Sequence, residues 1–428
     1  MIWFEVDDVV RYFLTARQPT GIQRVVSEIL AAGIGEAGEL RGRFALCRFR
    51  ASNGRLEPIP AAEFARISAG ARRALRTGSR ASAWQRAHAL LHHGVFVAAN
   101  VLRARLRDLF ASRGRDRAFA RLVQPGDILV SLGATWGHRN FAERLKEAKT
   151  RYGLRYAMMV HDIIPASNPE LCSPAHVANF TGWLAATARE TDLFFTPSKF
   201  SAATLSAYSR AKGWPGKPVF PVRFGTGFRS QPAGPTPLRL EITEPFVLKV
   251  STIEIRKNHR LLVDVWRRLI ERHGKDAVPP LVLVGRVGWQ VDDVMKDLAA
   301  SDYLGGKVII FSSVSDEMLA AYYRACLFTV FPSMAEGWGL PVEESFAHGK
   351  YCICSSASSV PEVGGDFADY FDPADFGQAY DLIERAIFEP GFVKSREERL
   401  RAGFKPEKWA DTFRSIVAIL DTELARKD

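Results

Sequence analysis

Short apolar runs recur along the whole chain, each followed by a stretch long enough for a helix. They fall at residues 4–6, 44–49, 127–132, 156–160, 192–196 and 218–224, and again at 246–250, 281–285, 308–311, 327–331 and 351–355. A run such as Leu281-Val-Leu-Val-Gly285 is apolar on both faces, the pattern of a strand in a parallel sheet covered on both sides. The intervening stretches carry helical periodicity. After Asn258, read as a cap, Leu261, Leu262, Val265, Trp266, Leu269 and Ile270 share one helical face, and Gly274 stands where a stop belongs. Alternating strand and helix predicts an α/β chain with doubly wound parallel sheets. At 428 residues the chain exceeds one ordinary core and suits two domains of roughly 200. The Gly- and Pro-rich stretch 225–237 reads as the linker. It divides the chain into domains at 1–228 and 229–405, with a last helical segment at 406–428. In that segment Trp409, Phe413, Ile416 and Ile419 lie on one face.

With 47% hydrophobic and 25% charged residues, the composition is that of a globular protein and argues against disorder. Five scattered cysteines do not make a disulfide framework and fit a reducing cytosol. Cys352 and Cys354 alternate within an apolar run, so they read as buried strand residues rather than metal ligands. The first residues, Met-Ile-Trp-Phe-Glu-Val-Asp-Asp, do not read as a signal peptide. No apolar run approaches the ~18 residues of a membrane-spanning helix. The expected location is the cytoplasm, with peripheral attachment to the inner face of the membrane open. The net charge of +11 is concentrated: residues 72–121 hold twelve arginines against two aspartates. Apolar residues, among them Trp84, Leu90, Phe96 and Phe110, interleave with these arginines. The segment reads as a basic helical insertion suited to an anionic membrane surface, or as a helix with a solvated arginine face. No nucleic-acid-binding fold accompanies it, so nucleic acid is not expected as a partner.

The stretch most informative about chemistry is Phe331-Pro-Ser-Met-Ala-Glu336-Gly-Trp-Gly-Leu-Pro341-Val-Glu-Glu344-Ser-Phe-Ala-His-Gly349. It leaves an apolar strand, turns through Gly337 and Gly339, and enters a helix with Pro341 in its first turn. Such a corner offers backbone N–H groups and the positive end of a helix dipole to an anion such as a diphosphate. In open α/β sheets, ligands bind at this carboxyl end of the strands. Glu336 and Glu344 frame the corner, and carboxylates accept hydrogen bonds from the paired hydroxyls of sugars and riboses. In the plainer reading, Glu336 is a surface loop residue and Glu344 only favours the helix start.

This corner resembles the Glu-x7-Glu signature of the retaining glycosyltransferase family four. The later Ser358-Ser359-Val-Pro361-Glu362-Val-Gly364-Gly365-Asp366, followed by Tyr370-Phe-Asp372-Pro, is similar to the segment that follows it in that family. The resemblance is specific over about 245–375 and looser before. It implies the GT-B fold, two Rossmann-like domains with a cleft between them and a last helix that crosses back to the first domain. By this likeness Glu336 faces the donor sugar, Glu344 the nucleotide ribose, and Gly337, Gly339 and Leu340 belong to the donor-binding corner.

Other segments add to the site. In Val250-Ser-Thr-Ile-Glu254-Ile-Arg256-Lys257-Asn-His259, two adjacent cations sit between a strand and a helix. Positive charge there opposes the helix dipole, so an anionic leaving group explains the placement better than a solvated helix start. The family has a phosphate-contacting Lys here, but its frequent earlier Arg is replaced by Ser251 or Thr252, which leaves Arg256 the less secure of the pair. Ser315 or Asp316 reads as a cap, and the resemblance puts Val314 on a loop packed against the nucleotide base. Gly21 lets backbone approach a phosphate and resembles the family's first glycine-bearing loop. His161 and Asp162, in Val160-His-Asp-Ile-Ile-Pro165, fall at the carboxyl edge of their sheet, since Pro165 forces an extended or turn conformation before it. They resemble the His-Asp-x-Ile-Pro stretch of bacterial mannosyl- and rhamnosyltransferases of polysaccharide or lipopolysaccharide synthesis. By that likeness His161 contacts the donor sugar and Asp162 orients the acceptor. Thr135 and Trp136 line the acceptor side.

The function expected is a retaining transfer of a hexose from a nucleotide diphosphate sugar to a saccharide or lipid-linked saccharide acceptor. The likeness at His161 and Asp162 points to GDP-mannose, with UDP- and dTDP-sugars left open. No cofactor is expected, because Arg256 and Lys257 can replace a divalent ion and no Asp-x-Asp motif lies near the site. The rivals are a sugar-nucleotide epimerase of the same fold and a non-catalytic basic surface-binding protein. An oxidoreductase is disfavoured, since no intact G-x-G-x-x-G follows a strand.

Overall fold

The computed structural model describes residues 1–15, 21–36, 42–50, 54–70, 118–138, 140–227, 240–312 and 314–425. The first sheet holds β1 (Ile2–Glu5), β2 (Phe44–Phe49), β3 (Leu56–Ile59), β4 (Ile128–Ser131), β5 (Arg155–Met159), β6 (Leu193–Thr196) and β7 (Val219–Pro221). Its spatial order is β3-β2-β1-β4-β5-β6-β7. The second sheet holds β8 (Val247–Val250), β9 (Leu281–Val284), β10 (Val308–Phe311), β11 (Thr329–Phe331), β12 (Cys352–Ser355) and β13 (Asp369–Phe371), in the order β10-β9-β8-β11-β12-β13. All pairings are parallel except β2 with β3. This is the GT-B arrangement of two doubly wound domains.

Each apolar run read from the sequence overlaps a strand, because a strand covered on both faces is apolar throughout. Two strands escape that rule. β3 is an antiparallel edge strand that tolerates Pro58, and β13 is a three-residue edge strand opening on an aspartate. The helix after Asn258 spans His259–His273 and ends at Gly274, with Leu261, Leu262, Val265, Trp266 and Leu269 buried as read and Ile270 partly so. Asn258 is not a side-chain cap. It adopts a left-handed conformation (φ 55°) and donates from Nδ2 to the Pro373 carbonyl at 2.9 Å, fixing the turn instead.

Both sheets reverse their winding direction at the centre, between β1 and β4 and between β8 and β11. These switch points open the crevices in which such folds hold ligands. The carboxyl edges of the two sheets face each other. A single apolar core joins the domains and takes in Phe331, Trp338, Val342 and Phe346 of the second with Phe224 and much of the first. The last helix, Trp409–Ala425, packs on the helix Ile22–Gly35 of the first domain. Phe413 seats against Phe4 and Phe44, with ring centres 5.6 and 5.1 Å away, and Gly33 leaves room for it. The domain boundary at 228/229, the segment Pro19-Thr20 and nearly all of the basic segment 72–121 lie outside the described residues. No described helix is long and apolar enough to cross a membrane.

Candidate active site between the two domains

The corner after β11 and the loop after β8 lie side by side because their strands are neighbours in the sheet. Glu336 is brought onto both cations: its Oε2 accepts from Arg256 Nη1 at 2.8 Å and its Oε1 from Lys257 Nζ at 2.6 Å. Arg256 also donates to the Ala335 carbonyl at 2.7 Å and pairs with Glu254 at 2.9 Å. The corner's backbone is pinned by two serines that the sequence reading assigned no role. Ser358 Oγ accepts from the Glu336 N–H at 2.8 Å, and Ser359 Oγ donates to the Glu336 and Trp338 carbonyls at 2.9 and 2.8 Å. Burial alone would raise the Glu336 pKa, but Arg256 and Lys257 outweigh it and hold the carboxyl down at about 2. Burial lowers Lys257, with Arg256 adding to the effect and Glu336 opposing it. Arg256 is held above its ordinary value by Glu336, Glu254 and Asp162, against the opposing effect of burial.

Glu344 lies on the helix Leu340–Ala347, which starts at Gly339 (φ 149°) with Pro341 in its first turn. Its Oε2 accepts from the Tyr323 hydroxyl at 2.9 Å, and its Oε1 pairs at 2.8 Å with Nη2 of Arg24 from the opposite domain. Arg24 follows Gly21, whose left-handed conformation (φ 51°) starts the helix Ile22–Gly35. Among the described residues, nothing lies within 4 Å of where a Cβ on Gly21 would sit. A link between the two domains at Glu344 was not read from the sequence.

Facing this corner is the edge of the first domain. A Cβ at Gly337 would sit 2.0 Å from the His161 carbonyl oxygen and 3.0 Å from the Asp162 Cβ. The Gly337 carbonyl accepts from Ser198 Oγ at 2.9 Å and from Ser201 Oγ at 3.2 Å. Glu362 accepts from the Lys199 and Phe200 N–H groups at 2.9 and 2.6 Å, placing its charge on the N-terminus of the helix Lys199–Ala211. His161 is buried, with Nε2 at 2.8 Å from the Leu132 carbonyl, and burial lowers its pKa despite that bond and Asp162. Asp162 Oδ1 accepts from the Ile164 N–H at 3.0 Å and starts the short helix Ile164–Ser167.

The remaining residues make contacts within their own domains. Thr135 Oγ1 is buried and accepts from Trp183 Nε1 at 3.1 Å, so its side chain serves the fold. Trp136 packs on Phe180 and Trp183 and its carbonyl accepts from Asn179. Val314 packs in the small core around Tyr322, ahead of Ser315, which is the cap of the helix Asp316–Ala325. At the carboxyl edge of β1, Glu5, Asp7 and Asp8 are buried together. Burial brings Asp7 and Asp8 up to about 6.

The described geometry agrees with what the chain is similar to. The family described as glycosyl transferases group 1 matches residues 236–402. The serotype-specific mannosyltransferase WbdA of Escherichia coli is 28% identical over 243 residues, covering 54% of this chain and 29% of that one. The O-antigen chain mannosyltransferase B of Escherichia coli is 37% identical over 131 residues, covering 30% of this chain and 33% of that one. The chain thus spans about a third of the length of these curated relatives. Among solved structures, Anabaena Alr3699/HepE in complex with UDP and glucose superposes with a TM-score of 0.60 at 17% identity, over 98% of this chain and 99% of that one, a likeness of fold. Residues 236–402 are thus a glycosyl transferase group 1 domain, set in a chain with the GT-B fold.

Proposed function

We propose that the chain transfers a hexose, with retention of configuration, from a nucleotide diphosphate sugar to a saccharide or lipid-linked saccharide in cell-surface glycan synthesis. The observation that carries this reading is the cluster of Glu336, Arg256 and Lys257 at the carboxyl edge of the second sheet, closed over by His161 and Asp162 of the first domain. The donor diphosphate lies against Arg256 and Lys257, the ribose near Glu344, and the sugar between Glu336 and His161. As the bond between the anomeric carbon and the diphosphate oxygen breaks, the two cations take up the charge that develops on the leaving group. The acceptor hydroxyl attacks from the same face and gives its proton to a leaving-group oxygen. Mannose is favoured by the names of the relatives and by the His161-Asp162 likeness, and GDP-mannose is the donor to try first. The basic segment 72–121 rests on an anionic membrane surface and brings the enzyme to a lipid-linked acceptor at the inner face of the membrane.

Purified protein is screened with GDP-, UDP- and dTDP-sugars for stabilisation, hydrolysis and transfer, with and without a chelator. Transfer that survives the chelator and falls steeply in Glu336→Ala and Lys257→Ala supports the reading. Near-wild-type turnover in both variants would overturn it, and interconversion of the free nucleotide sugar without an acceptor would favour an epimerase. A deletion of 72–121 that still binds anionic vesicles would refute the membrane role.

A further inference from the structure

Lys249 lies in the middle of the second sheet, on β8, and is 1% exposed. Its Nζ has no hydrogen-bond partner among the described residues. A buried amine without a hydrogen-bond partner is costly when charged. Its Nζ stands 4.6 Å from the centre of the Phe331 ring, and Lys257 Nζ lies 5.9 Å from the same ring. The charged and titratable groups around it come from four elements. Lys257 and Arg256 belong to the turn after β8, Glu336 to the corner after β11, Cys352 and Cys354 to β12 and His259 to the helix His259–His273.

The formal charges of this cluster explain the placement. Arg256 and Lys257 are already matched, in direct ion pairs, by Glu254 and Glu336. Leaving Lys249 aside, these four groups cancel, and Asp162 beside Arg256 leaves the seat offered to an anionic diphosphate formally negative. Burial, then the charge of Lys257, brings Lys249 down to about 7, so both forms of its amine are accessible near neutral pH. His259 is kept neutral by burial and by the two lysines, and does not supply the missing charge.

We propose that Lys249 is a positioning residue of the donor seat: arrival of the diphosphate draws a proton onto its amine, and the ammonium so formed supplies the positive charge that the seat lacks and holds Lys257 toward the phosphates. The step is a protonation alone. The amine lone pair takes a proton from the buffer, and no other bond forms or breaks. This inference rests on the donor site proposed above.

Isothermal titration of the full chain with GDP, UDP and dTDP, in buffers of different ionisation enthalpy, counts the protons taken up on binding. At about pH 8 the free nucleotide phosphates are already ionised, so uptake belongs to the protein. The wild type is expected to take up between about half a proton and one proton per bound nucleotide. Lys249→Met is expected to take up none, and its affinity loses the dependence on pH that the wild type shows around neutrality. Binding without proton uptake by the wild type overturns the role of Lys249 and leaves the donor site standing. Uptake that persists unchanged in Lys249→Met places the proton elsewhere and also overturns it. Failure to bind any of the three nucleotides overturns the donor site itself, and this inference with it. If Lys249→Met does not fold, Lys249→Arg takes its place: its guanidinium keeps its proton at every pH tested, so it too is expected to take up none, and uptake equal to the wild type's overturns the role of Lys249.

Discussion

Gly337→Ala adds one methyl group at a tight contact between the domains. The new Cβ would lie 2.0 Å from the His161 carbonyl oxygen and 2.9 Å from its carbon. An ordinary carbon–oxygen contact is about 3.3 Å, so the domains must separate by about 1.3 Å at this point or the corner must shift as much. Separation stretches the bonds from Ser198 and Ser201 to the Gly337 carbonyl and carries Glu336, one residue away, off its opposite wall. A displacement of about 1 Å between reacting groups can cost on the order of 10²-fold in rate. The expected result is a folded protein whose kcat falls by about that factor. Its affinity for a nucleoside diphosphate should stay near wild type, because Arg256 and Lys257 lie within the second domain. Initial-rate transfer assays, beside thermal unfolding and nucleotide titration, make the comparison. A folded Gly337→Ala variant that transfers at the wild-type rate would refute the argument that the closed spacing at this contact is the catalytic one.

Three further predictions concern the charges of the cleft. Glu336→Gln should lower stability by about 3 kcal/mol at neutral pH, since Glu336 is held at about 2 against an ordinary 4.5. That contribution is present above about pH 4.5 and is lost as the pH falls toward 2, so denaturation curves of the two proteins should converge in acid. Arg24→Gln takes the ion pair from the buried Glu344 carboxylate, which keeps the hydrogen bond from Tyr323, and should cost about 3 kcal/mol. Adding Glu344→Gln should restore part of it, measured by urea unfolding. Lys249→Met should raise stability by about 2–4 kcal/mol at pH 7, because the unfolded lysine binds a proton that the folded one holds weakly. The gain should shrink as the pH rises from about 7 toward 10.5, where the lysine is neutral in both states.

What the sequence disclosed, and what it withheld, follows from the range of the forces involved. Glu336, Arg256 and Lys257 were legible as a set because each sits on a loop at the carboxyl end of a central strand, and the parallel topology puts such loops together. Local rules also put a cap at Ser315 or Asp316, where Ser315 holds it, and a stop at Gly274. They failed at Asn258, whose side chain reaches Pro373 across the domain, 115 residues away. The pairing of Arg24 with Glu344, and the serines that grip Gly337, depend on how one domain sits on the other, which no local spacing encodes. Lys249 left a readable trace, a cation inside an otherwise apolar strand. Its meaning needed the neighbours that β11 and β12 bring beside it.

The helix Trp409–Ala425 gives the first domain a history as well as a shape. Phe4, Phe44 and Gly33 belong to the opening stretch of the chain, yet the ring that covers them is Phe413. During synthesis the early domain therefore leaves the ribosome with an oily gap on its flank. It stays open until nearly two hundred more residues have been added, a period in which chaperones or aggregation compete for it. Completion of the second domain and sealing of the first become one late event. Shortening the chain ahead of residue 409 should accordingly spoil the half of the molecule from which nothing was cut.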